Sequence, residues 1–136
     1  MMIDASAMIS ILTGEAEGSK LADAIETAKA PYTTPLAVCE TATALMRAKD
    51  FSGDEASALV RRFLDEGGVK VVMITESMAG MAIAAFDRYG KGRHAAGLNM
   101  RDCFAYAAAK AYRAPLLFAG DDYSRTDVND REGQVS

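Results

Sequence analysis

The stretch GGVKVVMITESMAGMAIAAFDRY, residues 67–89, decides the fold. Gly67-Gly68 stops the element before it. Val69 to Ile74 is short, apolar and rich in β-branched residues, as a buried strand is. Thr75 then reads as a helix cap. Met78, Met81, Ala82, Ala85 and Phe86 recur at helical spacing as far as Tyr89. A strand therefore runs straight into a capped helix.

The same unit recurs in both directions. Upstream, Met1-Met2-Ile3-Asp4 reads as a short buried strand and Ala5 to Leu12 as the helix after it. Gly14 breaks that helix, and Glu15 to Ala28 is amphipathic, with Leu21, Ala24, Ile25 and Ala28 on one side. Pro31 and Pro35 bracket an extended Tyr32-Thr33-Thr34. Thr34-Pro35 is a helix start, Thr as cap and Pro in the first turn, for a helix reaching Ala48. On it Leu36, Cys39, Thr43 and Met46 fall on one side. Phe51 to Asp54 is a turn, and Glu55 to Glu66 a helix with Ala58, Leu59, Phe63 and Leu64 inward. Downstream, Gly90 to Gly97 is a basic loop and Asn99 caps a helix from Met100 to about Tyr112. Pro115 to Ala119 is a strand, Gly120-Asp121-Asp122 a turn, and Thr126 to Val128 a last edge strand. Strand and helix alternate without repeat or linker. That predicts one α/β domain over residues 1–136, with a mostly parallel central sheet covered by helices.

Composition narrows the function. The chain has 136 residues, half of them hydrophobic and a quarter charged, an ordinary globular balance. Its apolar runs fall far short of the ~20 residues that span a bilayer. Met1 to Asp4 lacks a positive leader region, so a cytoplasmic protein is expected, with Cys39 and Cys103 reduced and buried. Lys plus Arg number 15 against 19 Asp plus Glu, a net charge of −4. Gripping nucleic acid through bulk positive charge is thereby excluded. Such a role needs a local basic patch, or a metal ion that inverts the local charge.

Several acids stand where a solvated charge is not expected. Asp4 ends the first strand. Glu40 lies one turn into the Pro35 helix, within the mainly apolar Leu36 to Ala42. Asp102 occupies the first turn of its helix, and Asp121-Asp122 follow the strand Leu116 to Ala119. In a parallel sheet, strand ends and helix starts share one edge, where ligands bind. Carboxylates converging there repel one another and call for a hard divalent cation such as Mg²⁺, which would activate a water for attack on phosphorus. Plainer readings stand beside this one. Asp4 would cap the helix from Ala5, Glu40 would be a solvated helical acid, Asp102 would complement a helix dipole, and Asp121-Asp122 would make a turn.

Four segments carry a resemblance: MMIDASA at the start, PLAVCETA at 35–42, GKGRHAAGLNMRDCFAYAAAKA at 90–111 and PLLFAGDDYSRTDV at 115–128. In this order, over nearly the whole chain, they resemble the PIN-domain toxins of VapC type. The resemblance implies a three-layer α/β/α fold and endoribonuclease activity dependent on Mg²⁺, or Mn²⁺. It also implies neutralisation by a VapB-type antitoxin, and a homodimer. Asp4, Glu40 and Asp102 match the family's three core acids. The family's GxDF-like tail makes Asp122 the fourth, with Asp121 at the variable position. All four are expected to hold metal and serve catalysis. Tyr123 stands where Phe is common, a change expected only to preserve packing. Ser6 matches a hydroxyl position expected to hold a metal-bound water or a phosphate. Arg88, Lys91, Arg93, His94 and Arg101 have no acid between them and read either as an RNA-backbone contact or as a solvated loop. The rival readings are a catalytically silent RNA- or protein-binding module and a DNA-directed nuclease. An aspartyl phosphotransferase ranks low, because Asp4-Ala5-Ser6 lacks the second Asp that chemistry wants.

Overall fold

Four strands of two residues each suffice for the sheet in the computed structural model, which describes residues 1–129. In chain order the elements are β1 (Met2–Ile3), α1 (Ala5–Leu12), α2 (Gly18–Thr27), β2 (Tyr32–Thr33), α3 (Pro35–Lys49), α4 (Gly53–Gly67), β3 (Lys70–Val71), α5 (Glu76–Tyr89), α6 (Met100–Ala111) and β4 (Leu116–Leu117). All strand pairs are parallel and the order is β3-β2-β1-β4. Each connection is a crossover carrying two helices, which gives the three-layer α/β/α arrangement expected of the alternation.

Backbone bonds just outside the strands extend the ladder. Met2 N donates to Pro115 O, Asp4 N to Leu117 O and Tyr32 N to Met1 O, each at 2.9 Å. The Thr33 hydroxyl donates to Ile3 O at 2.7 Å, so this polar residue is fully buried and still satisfied. Met2, Ile3, Leu116, Met8, Leu45 and Leu98 are fully buried around the sheet. On α6 the run Ala105 to Ala109 is buried as well, and its small side chains let that helix lie close against its neighbours.

Local chemistry sets the helix boundaries. Asp4 caps α1, Thr34 caps α3 ahead of Pro35, and Thr75 caps α5. Ser52 with Glu55, and Asn99 with Asp102, form reciprocal capping boxes on α4 and α6. Gly68, at φ 63°, ends α4 in the left-handed conformation that suits glycine.

Four expectations fail. The buried face of α3 is Ala37, Thr41 and Leu45, whereas Cys39 is exposed and Met46 is 38% exposed. Apolar residues surround that helix, so periodicity picked a neighbouring stripe. For the same reason α4 buries Ala56, Val60 and Leu64 and leaves Ala58 outside. The β3 strand stops at Val71, and Met73 beyond it is 79% exposed. Finally, Thr126 to Val128 form no strand. Their amides are satisfied locally, Thr126 N by Tyr123 O at 3.0 Å and Val128 N by the Thr126 hydroxyl at 3.3 Å.

The tail closes the sheet with side chains instead. The Asn129 carboxamide accepts from Leu116 N at 2.9 Å and donates to Leu116 O at 3.2 Å, occupying the groups a fifth strand would take. Asp127 anchors the same segment. It accepts from the Tyr106 hydroxyl and pairs with Lys110 at 3.3 Å and Arg88 at 3.5 Å. Burial would push its carboxyl up, but Tyr106, Lys110 and Arg88 together hold it below the usual range. A depressed carboxyl adds stability above the normal carboxylate range and loses it as pH falls through the folded value. Asp127→Asn should therefore lower unfolding stability by about 1–2 kcal/mol at neutral pH. In urea titrations the gap to the parent should close on strong acidification, and a gap independent of pH would contradict the anchor.

Candidate active site

From β1 the chain steps outward through β2 to β3, then returns to the far side of β1 as β4. The crevice of such a sheet opens where the order reverses, at the carboxyl ends of β1 and β4. Asp4 follows β1 directly. Asp122 and Tyr123 lie on the loop after β4, and the first turn of α6 brings in Asp102.

Asp4 is 7% exposed. Its Oδ2 accepts from Ser6 N at 3.1 Å and from the Ser6 hydroxyl at 2.5 Å. Its Oδ1 accepts from the Tyr123 hydroxyl at 3.0 Å. Asp102 repeats the arrangement. Its Oδ2 accepts from Asn99 N at 3.1 Å, and its Oδ1 lies 3.2 Å from the same Tyr123 hydroxyl. Each acid thus spends one oxygen on a helix end and turns the other toward a common point. The capping reading of both residues holds, and it is compatible with the site reading.

Glu40 is half-buried on α3, its carboxylate 3.7 Å from the Arg101 guanidinium. Asp122 is exposed, and its negative charge acts on Asp102. Asp121 is also exposed, and its carbonyl closes a local turn with Ser124. The structure thus links Asp4, Asp102, Glu40 and Asp122 electrostatically.

Three of these carboxyls are pushed above their ordinary range. For Asp4, burial is the main cause, opposed by the Ser6 and Tyr123 hydrogen bonds and reinforced by Asp102. For Asp102, burial again leads, opposed by the Asn99 amide and reinforced by Asp122. For Glu40, burial and Asp4 outweigh Arg101. Burial and the two carboxylates push the Tyr123 phenol strongly upward, so it keeps its proton and acts as a donor.

Among the described residues, no three or more His, Cys, Asp and Glu side chains stand as a set that could hold a metal ion. The donor chemistry nevertheless fits a hard divalent ion, because the acids brought near one another offer carboxylate oxygens, with a phenol beside them. The softer ligand types are engaged elsewhere. Burial, with Asp102 nearby, pushes the Cys103 thiol up to about 11, and His94 Nδ1 accepts from Ala96 N at 3.0 Å.

Sequence reasoning missed three contacts. Ser6 gives its proton to Asp4 and accepts from Ala119 N at 3.0 Å, so it positions the acid and ties it to the β4 loop. Arg101 faces Glu40 rather than joining an open basic strip. Tyr123 does more than pack. The rest of the basic stretch is largely neutralised, with Arg93 on Asp87 at 2.7 Å and Arg88 on Asp127. The one signal in the sequence was Tyr in place of Phe, a single added hydroxyl beside acids.

This architecture defines a class, and comparison with known proteins bears it out: the chain belongs to the PIN-domain family, whose model matches residues 1–129. Within that class it is of the VapC type. It is 39% identical over 128 residues to Ribonuclease VapC of Mycolicibacterium smegmatis, covering 94% of this chain and 97% of that relative. Its fold is similar to a chain of a toxin–antitoxin complex from Klebsiella pneumoniae, with TM-score 0.71 and 15% identity over 93% of this chain and 92% of that one. It is also similar to Mycobacterium tuberculosis VapC20, described as a sarcin-ricin loop cleaving toxin, with TM-score 0.70 and 18% identity over 98% and 95%.

The raised carboxyls carry a pH signature. Between the unfolded value, near 4, and the higher folded values, the folded state binds more protons than the unfolded chain. These three groups therefore stabilise the metal-free fold at acid pH, and their contribution is lost as pH rises through the folded values. Asp4→Asn keeps a good cap and removes the charge. In thermal melts with chelator, it should melt a few degrees above the parent at neutral pH. The difference should shrink toward weakly acid pH. A lower melting point at neutral pH would contradict this reading.

Proposed function

We propose that this protein is a metal-dependent endoribonuclease and the toxin of a toxin–antitoxin pair, with Mg²⁺ or Mn²⁺ as its ion. The observation that carries the reading is that Asp4 Oδ1 and Asp102 Oδ1 both lie within hydrogen-bonding distance of one hydroxyl, that of Tyr123, beside the carboxyl ends of β1 and β4. Family membership and the ribonuclease name of a relative 39% identical support it.

Asp4 and Asp102 would hold the ion, with Glu40 and Asp122 completing the set. When bound, the ion offsets the charge of carboxylates and phosphate and acts as a Lewis acid at phosphorus. The chain's own residues do the rest. Ser6 and the Asn99 amide fix the two main acids, so little reorganisation remains when substrate arrives. Glu40, its carboxyl raised by burial and by Asp4, would take a proton from an attacking water. Arg101 is placed to meet a phosphate once Glu40 turns from it, through the forked geometry that suits such anions.

A VapB-type antitoxin and a second copy of the chain are the proposed protein partners. Two apolar clefts offer surfaces for them. One lies between α3 and α4, lined by Val38, Ala42, Ala58 and Val71. The other lies between α5 and α6, where Ile83 is 72% and Met100 66% exposed beside Phe86 and Phe104. No helix among the described residues is long and apolar enough to cross a membrane. Cys39 and Cys103 are free thiols, which supports action in the reducing cytoplasm.

Purified protein should cut RNA oligonucleotides only with Mg²⁺ or Mn²⁺ and should leave matched DNA intact. Asp4→Asn and Asp102→Asn should abolish cutting while circular dichroism shows a folded chain. Undiminished cleavage by both variants would reject the site. RNA bound but uncut across a Mn²⁺ titration would favour a silent binding module.

A further inference from the structure

The Tyr123 hydroxyl lies within hydrogen-bonding distance of two acids that the proposed mechanism requires, yet that mechanism gives it no task. We propose that Tyr123 is a positioning residue whose hydroxyl, not its ring, orients the Asp4 and Asp102 carboxylates for a divalent cation. The inference rests on the metal-dependent reading above.

The geometry carries it. A phenol has one proton, and here it lies 3.0 Å from Asp4 Oδ1 and 3.2 Å from Asp102 Oδ1. The remaining oxygen of each acid is fixed at a helix end, by Ser6 and by Asn99. The single phenolic proton can go to either acid in turn, so the hydroxyl is common to the two.

Its own position is determined as well. Tyr123 is 2% exposed, and its ring packs edge-on against Phe118 at 5.1 Å between centroids. Its carbonyl accepts from Thr126 N at 3.0 Å and from the Thr126 hydroxyl at 2.7 Å, so the loop cannot retreat without breaking a turn. A phenylalanine at this position would fill the same space and leave the two acids to repel each other unbridged. Hydrogen-bond donors to ligating carboxylates orient them for metal, and their loss weakens binding by about 10–100-fold.

The test uses the full chain, with Mn²⁺ as calorimetric probe and Mg²⁺ as spectroscopic probe. Tyr123→Phe keeps the ring and is expected to fold. Its Mn²⁺ dissociation constant should rise about tenfold. The chain has five tyrosines and no tryptophan, so near-ultraviolet absorption reports tyrosine alone. Mg²⁺ should perturb that band in the parent and not in Tyr123→Phe. Tyr106→Phe, which removes a hydroxyl bonded to Asp127 instead, should keep the perturbation. Unchanged Mn²⁺ affinity in Tyr123→Phe would overturn the inference and leave the metal reading standing. No saturable Mn²⁺ binding by the parent would overturn both. If Tyr123→Phe does not fold, the parent and Tyr106→Phe decide the matter, since a Mg²⁺-insensitive tyrosine band in them would equally overturn it.

Discussion

Two ionised carboxylates held next to each other away from water repel, and everything around Asp4 and Asp102 is arranged to make that arrangement survive folding. The force that puts Asp4 there is backbone geometry. Its amide donates to Leu117 O in register with the β1–β4 pairing, so it cannot slide without unpairing the centre of the sheet. Asp102 is fixed in the same sense by the start of α6. The charges are then made tolerable by donors rather than by distance. Ser6, Asn99 and Tyr123 supply the hydrogen bonds, and the positive ends of α1 and α6 add favourable dipoles. Even so, burial leaves both carboxyls raised above their ordinary range, with the charge of Asp102 adding to the effect on Asp4 and that of Asp122 to the effect on Asp102.

The two oxygens of each acid divide the work between structure and chemistry. An N-cap needs one acceptor oxygen, and a metal ligand needs one donor oxygen; a carboxylate has both. This is why the plain and the functional readings of Asp4 and Asp102 are not rivals. Asparagine at either position would satisfy the cap and leave the crevice without its charge.

How far the sequence could be read follows the range of each interaction. The bounds of α1 and α5 coincide with expectation, since caps and stops act over three or four residues, as Asp4 and Thr75 do. The inward faces of α3 and α4 were misread because both helices are apolar on more than one side. Only packing against α1 and against each other selects Ala37, Thr41 and Leu45, or Ala56, Val60 and Leu64. The Thr126 to Val128 segment looked like a strand by residue type. The closing of the β4 edge depends instead on the Asn129 carboxamide, which no periodicity encodes. The closeness of Asp4 to Asp102 was legible because topology places strand ends and helix starts together. The Glu40–Arg101 pair and the bridging Tyr123 hydroxyl were not, since each joins residues far apart in the chain and shows itself only as a distance.

An acidic chain proposed to act on a polyanion poses an electrostatic problem, and the pairing pattern shows where its solution lies. Arg93 is held by Asp87, and Arg88 and Lys110 by Asp127, so most of the positive charge around the basic loop is consumed in holding the fold. Long-range attraction by a broad basic surface is therefore not the means of approach. What remains at the crevice is local: Arg101, whose partner Glu40 belongs to the proposed acid set and lies 3.7 Å from it. In the proposed reading, Glu40 would be shared between Arg101 and the acid set. Recognition of phosphate would then depend on this pair rather than on a standing positive surface.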